Sequence, residues 1–251
     1  ETGWNGKGTA YDSLGLCETP RFDSDFRHIG LMHSDDEGKS WTFDRWVLSA
    51  EEVCFTERYN PGAGKALGQK AGVIGLGSGD FTLYDDPKGE YLYLFYNVVR
   101  IDMAGGVWKS CDTYIARSRK RRDGVMGDFV KYYNGSFCEA GNLGKESAIV
   151  KNSWHSRVVF SEKLNAYPDC KTSIVADYLE FRTSSDLLSW SEPVCVEKDG
   201  KRFGSHYHGL ISFHGTGVPQ NIEGDKFTLL LGHNGTDVVA FDFTMTAHEK
   251  G

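Results

Sequence analysis

Residues 26–49 read FRHIGLMHSDDEGKSWTFDRWVLS: a strand, a polar turn closed by a tryptophan, and a second strand. The plan recurs in residues 112–135, DTYIARSRKRRDGVMGDFVKYYNG, and in residues 177–200, DYLEFRTSSDLLSWSEPVCVEKDG. Trp190 stands in the third copy where the first has Trp41 and the second has Phe129. Ahead of the second copy, residues 79–97 (GDFTLYDDPKGEYLYLFYN) add a strand, an Asp-Asp-Pro-Lys-Gly turn and an alternating aromatic strand. Residues 146–161 (ESAIVKNSWHSRVVFS) precede the third copy with the same layout, residues 207–233 are a looser version, and residues 236–246 supply one more strand. Four strands per unit, recurring about every 50 to 70 residues, are the signature of β-propeller blades. A β-sandwich is the alternative all-β arrangement. The expectation is an all-β chain forming a single propeller domain over residues 4–247, with Glu1-Thr2-Gly3 set aside as a vector-derived remnant.

Composition agrees with strands. The 251 residues include 30 glycines and 13% aromatics, and no stretch of helical length holds an apolar i, i+3, i+4, i+7 pattern. A hydrophobic content of 39% supports a real core and excludes a disordered chain. The longest apolar runs, residues 91–96 and 227–231, fall far short of the roughly 18 to 20 residues that cross a bilayer, so no membrane span is expected. With 35 acidic against 28 basic residues and a net charge of -7, nothing favours a nucleic acid partner. Six cysteines make an even set, and two sequons, Asn134-Gly-Ser136 and Asn234-Gly-Thr236, sit in turns open to glycosylation. Together they point to an oxidising secretory compartment, and the chain, with no signal peptide to read, is expected to be a mature secreted protein.

Ser34-Asp-Asp36-Glu-Gly38-Lys-Ser-Trp41 fits S-x-D-x-G-x-x-W and resembles the Asp-box turn of sialidase-like propellers. Its physics is structural: the Asp36 carboxylate can accept turn amides, Gly38 can take positive φ, and Trp41 is expected to pack between blades. Ser184-Ser185-Asp186 with Trp190 is a shortened variant without the glycine. In a propeller, a polar residue opening an inner strand faces the central channel. Asp80, Glu146 and the cluster His206-Tyr207-His208 are read at such openings. Two carboxylates on neighbouring blades are what glycoside hydrolysis requires, one ionised and one protonated.

The chain here resembles the five-bladed propeller glycosidases, the clan of glycoside hydrolase families 43 and 62. Residues 79–86, GDFTLYDD, are similar to the second-blade strand and turn of that clan, and Glu146-Ser147-Ala148-Ile149 to its third-blade opening. The likeness in blade layout covers about residues 26–245. It implies five four-stranded antiparallel blades and inverting hydrolysis, with Glu146 as general acid and Asp80 tuning its pKa and holding substrate. The clan's base lies in a first-blade Asp-Pro, which is missing here; Asp23 and Asp25 are the nearest candidates, Asp25 the one carried forward, with Asp12 a third. His208 is similar to a last-blade histidine that in parts of the clan holds a central ion or water, so a central calcium is the one cofactor the likeness suggests. His206 and Tyr207 join it as substrate-binding candidates.

The functional expectation is thus a secreted glycan hydrolase. The alternative is a propeller that binds a glycan or a protein and has lost the base, and a sialidase-like enzyme is a third reading. Gly75-Leu-Gly77-Ser-Gly79 and Gly62-Ala-Gly64-Lys65 lack the following helix that a phosphate cradle needs, no Gly-x-Ser-x-Gly elbow occurs, and no spacing matches a zinc site. The basic run Arg117-Ser-Arg119-Lys120-Arg121-Arg122 is placed in a solvated turn between outer strands. Because the start of one strand in a hairpin neighbours the end of the next, the expected disulfides are Cys17 with Cys54, Cys111 with Cys138, and Cys170 with Cys195.

Overall fold

A computed structural model describes residues 27–51, 73–87, 89–102, 107–121, 126–172, 178–213, 220–233 and 237–244. These residues are all-β, with no helix among them. None of them therefore forms a helix long and apolar enough to cross a membrane.

The strands follow the repeat. β1 (His28–His33) and β2 (Thr42–Ser49) form an antiparallel pair around the Ser34–Trp41 turn. β3 (Val73–Asp85), β4 (Tyr91–Asp102), β5 (Val107–Arg119), β6 (Val130–Tyr133) and β7 (Ser136–Ala140) lie in one sheet in that order. The β6–β7 connection is Asn134-Gly135, and both residues have positive φ, 46° and 91°. That is the two-residue turn whose twist matches antiparallel strands.

β8 (Trp154–Val158), β9 (Phe160–Ser161), β10 (Tyr167–Thr172), β11 (Leu179–Ser184) and β12 (Val194–Cys195) follow, and β8, β10, β11 and β12 make a four-stranded antiparallel meander. β13 (Glu197–Lys198) and β14 (Lys201–Arg202) form a short hairpin. β15 (His208–Ile211), β17 (Lys226–His233) and β18 (Asp237–Thr244) make a three-stranded antiparallel sheet, while β16 (Asn221–Ile222) pairs in parallel with β9.

The described residues fall into two compact units. One comprises the stretches up to Asp80 and from Tyr96 to Lys151; the other comprises Phe81 to Phe95 and the stretch from Asn152 onward. In the first, Ile29, Leu48, Ile115 and Ala116 are buried, and Trp46 packs against His28 and Phe43. The second centres on Cys170, Leu179, Leu210, Ile222, Phe227, Leu229 and Leu231. Phe227, Leu229 and Leu231 are alternate residues of β17, so one face of that strand supplies three core side chains, as a period of two requires.

Both Asp turns are hydrogen-bond cages. The Asp36 carboxylate accepts Ser40 N (2.8 Å) and Ser40 Oγ (2.6 Å), and Ser34 Oγ accepts Gly38 N (2.8 Å). These donors, Ser40 foremost, hold the Asp36 carboxyl down at about 2. The shortened copy builds the same cage without glycine: Asp186 accepts Leu188 N, Ser189 N and Ser189 Oγ, and Leu187 takes the positive φ of 66°. Trp41 does not pack between elements, being 59% exposed. Its indole N–H closes the turn on Gly38 O at 3.1 Å, as that of Trp190 does on Leu187 O at 3.2 Å.

The described cysteines Cys111, Cys138, Cys170 and Cys195 are free thiols. Cys111 is on β5 and Cys138 on β7, with β6 between them; Cys170 is on β10 and Cys195 on β12, with β11 between them. Two strand spacings are roughly 9.5 Å, beyond the reach of a disulfide. No disulfide joins these four cysteines in the structure, and one strand lies between the members of each expected pair. Cys17 and Cys54 lie outside the described residues, as do Asp12, Asp23, Asp25 and Asn234. The basic run begins within β5, to which Arg117 and Arg119 belong, Lys120 and Arg121 follow the strand, and the Arg117 guanidinium sits 4.2 Å from the Phe137 ring centre.

Candidate functional site

The two candidate carboxylates lie in the first unit, and neither opens a strand. Asp80 is within β3, at a left-handed φ of 49°. Its placement depends on Gly77, at φ 87°, where any Cβ would collide with the backbone of Arg27. Ser78 N donates to Arg27 O at 3.0 Å, and this approach sets the Arg27 guanidinium 3.1 Å from Asp80 Oδ2. The Cys111 thiol is pushed well up, first by burial and then by the charges of Asp80 and Asp112, so it stays protonated.

Glu146 lies in an irregular segment between β7 and β8 whose backbone is tied to neighbouring strands: Ser147 N donates to Tyr132 O and Ile149 N to Thr113 O. Its carboxylate receives the Lys131 ammonium at 2.9 Å and the Tyr96 hydroxyl at 2.7 Å. Lys131 is fully buried, and its other two protons reach Ser49 O (2.7 Å) and Gly144 O (3.0 Å), so all three are used. Burial, followed by the Glu146 charge, raises the Tyr96 phenol well above its ordinary value. Tyr96 stacks on Tyr114, whose hydroxyl accepts from Arg100 at 2.9 Å, and Arg100 faces Asp112 at 3.6 Å. The first unit thus holds three acid–base pairs, Asp80 with Arg27, Asp112 with Arg100, and Glu146 with Lys131. Both contacts of Glu146 use its carboxylate as an acceptor, whereas a general acid must donate.

The histidine candidates lie in the second unit. His208 opens β15; its Nε2 donates to Cys170 O at 2.9 Å, and Nδ1 lies 3.2 Å from Thr172 Oγ1. It is buried, and burial lowers its pKa to about 4.

The same Thr172 hydroxyl lies 2.8 Å from His206 O and so fixes the turn ahead of β15. His206 Nε2 is 3.2 Å from Nε2 of His155, a residue of β8, and Trp154 stacks on the His155 ring. Tyr207 packs against both imidazoles and is 62% exposed. Beneath the cluster, Arg182 and Asp169 form a buried ion pair at 2.6 Å, with Arg182 Nη2 also 3.3 Å from Ser153 Oγ and from Ser156 Oγ.

Sequence reasoning found Asp80, Glu146, His206, Tyr207 and His208 and missed their partners. Lys131, Arg100, Asp112 and His155 lie on other strands and Arg27 just ahead of β1, and single polar residues in alternating strands carry no mark of what they face. Trp154-His155 did offer a signal, an aromatic–imidazole doublet of the same kind as His206-Tyr207. Comparison with protein-family models matches none, and a search of curated proteins finds no relative.

Proposed function

We propose that this chain is a secreted β-propeller that binds glycans without hydrolysing them. The observation that carries the non-catalytic part is the Glu146 carboxylate, already bonded to Lys131 and Tyr96 and buried with them. A side chain so engaged is a fixed acceptor in a polar framework rather than a proton donor to a leaving oxygen. The glycan as ligand rests on the resemblance of residues 79–86 and 146–149 to the glycosidase clan, together with Tyr207, whose exposed ring offers a face for the apolar side of a sugar. The meander of β8, β10, β11 and β12 has the strand count and order of one propeller blade, which supports the propeller reading. Asn134, exposed at the tip of the β6–β7 hairpin, supports glycosylation and secretion.

Inverting hydrolysis is the second reading, favoured by the left-handed backbone of Asp80, since strain of this kind persists where surrounding structure holds a residue for a purpose. A glycan array run beside a panel of aryl glycosides separates the two. Binding without turnover supports the module, and turnover that disappears in Glu146→Gln supports the enzyme.

A further inference from the structure

We propose that His155 and His206 form a two-imidazole site for a late first-row divalent cation, zinc or copper(II). Their Nε2 atoms are 3.2 Å apart. Two nitrogens each roughly 2.0–2.1 Å from one metal stand about 2.9 Å apart in square-planar and about 3.4 Å apart in tetrahedral coordination, so the observed separation fits a shared ion.

The rings are held in advance. His155 is 2% exposed and adopts a left-handed φ of 53°, a conformation that costs a non-glycine residue energy and survives only where its surroundings impose it. The indole of Trp154 lies 4° from parallel to the His155 ring, with centroids 5.6 Å apart, and meets the His206 ring edge-on at 5.0 Å. His206 is fixed through its carbonyl by Thr172. Gly204 lets the chain reach this position, since a Cβ there would come within 2.7 Å of Leu179. Unlike His155, His206 is only half-buried, so water can complete the coordination from its side.

Without metal, the 3.2 Å contact is an N–H···N hydrogen bond between the two rings. A cation takes the place of that proton, and the donor ring shifts its hydrogen to Nδ1, so two neutral imidazoles bind with no net proton released. No group of three or more metal-ligating side chains occurs among the described residues, which makes this a site with two protein ligands. A pair of imidazoles without a carboxylate selects zinc or copper over calcium or magnesium. This inference is independent of the glycan reading.

The test titrates zinc chloride, and separately copper sulfate, into the full chain after chelator treatment. Calorimetry reads the stoichiometry, and tryptophan emission, which copper beside Trp154 quenches, reads the location. His33, which is exposed and 2.6 Å from Asp44, is a competing surface site among the described residues, so His33→Gln is the control. The expected result is one equivalent bound, unchanged in His33→Gln and weakened at least about tenfold in both His155→Gln and His206→Gln. His206→Gln decides the matter if His155→Gln misfolds. Unchanged binding in His206→Gln, or no binding by the parent chain at millimolar cation, overturns the proposal.

Discussion

Lys131 Nζ lies 2.9 Å from Glu146 Oε2, and neither side chain has appreciable access to water, with exposures of 0% and 7%. The pair joins β6 to the irregular segment that follows β7, and the Ser49 and Gly144 carbonyls complete the lysine's shell. Removing one partner of a buried pair leaves the other charged and uncompensated. Lys131→Met is therefore expected to destabilise the chain by about 3 to 5 kcal/mol, read as a shift in urea midpoint at unchanged slope. A loss below about 1 kcal/mol would show the pair to be solvated.

Asp36→Ala is expected to lower the thermal midpoint while leaving ligand binding intact, because every contact of the carboxylate is within its own turn. The pH dependence has a definite sign. The folded carboxyl is held at about 2, below its unfolded value, so the contribution is present above about pH 4 and is lost as pH falls toward 2. A loss of binding at unchanged stability would place Asp36 in a ligand site instead.

Stability should also fall on acidification through a higher window. Burial lowers His28 to about 3 and His208 to about 4, whereas in the unfolded chain both titrate near the ordinary 6.5. Between about pH 6.5 and 4 the unfolded state binds more protons, so stability drops with pH and is fullest above that range. Thermal melts across this window should show the slope, and His208→Gln should flatten it. Equal slopes in parent and variant would mean that His208 is protonated in the fold.

Cys138 is exposed and unbonded, while Cys111 and Cys170 are buried thiols that burial keeps protonated. Brief alkylation of the native protein should label Cys138 and spare Cys111 and Cys170 until denaturant is added. Non-reducing peptide mapping that found Cys111 joined to Cys138, or Cys170 to Cys195, would contradict the strand order.

These cysteines also show how far the sequence could be read. The repeat located the strands, because alternation and turn residues are local: β1 pairs with β2, β3 neighbours β4 and β15 pairs with β17. Counting strands between two points is not local. Ser136–Ala140 adds a fifth strand where four were expected, and Cys170 lies in the second strand of its meander rather than before the third. Each error of one strand moves a cysteine by one sheet spacing and breaks a bond. The candidate site divides in the same way. Asp80, Glu146 and the 206–208 cluster carry their own chemistry in the sequence, but Lys131, which changes what Glu146 can do, is 15 residues upstream and looks like any strand lysine.

The Glu146 carboxylate is a buried acceptor for Lys131 and Tyr96, and the proposed binding without hydrolysis turns on it. Its most direct test is to measure release of aryl alcohol from glycosides that carry the sugars the chain retains on a glycan array. The expected result is binding with no release above the solvent rate, in the parent chain and in Glu146→Gln alike. Release by the parent chain that Glu146→Gln abolishes while binding persists would contradict it.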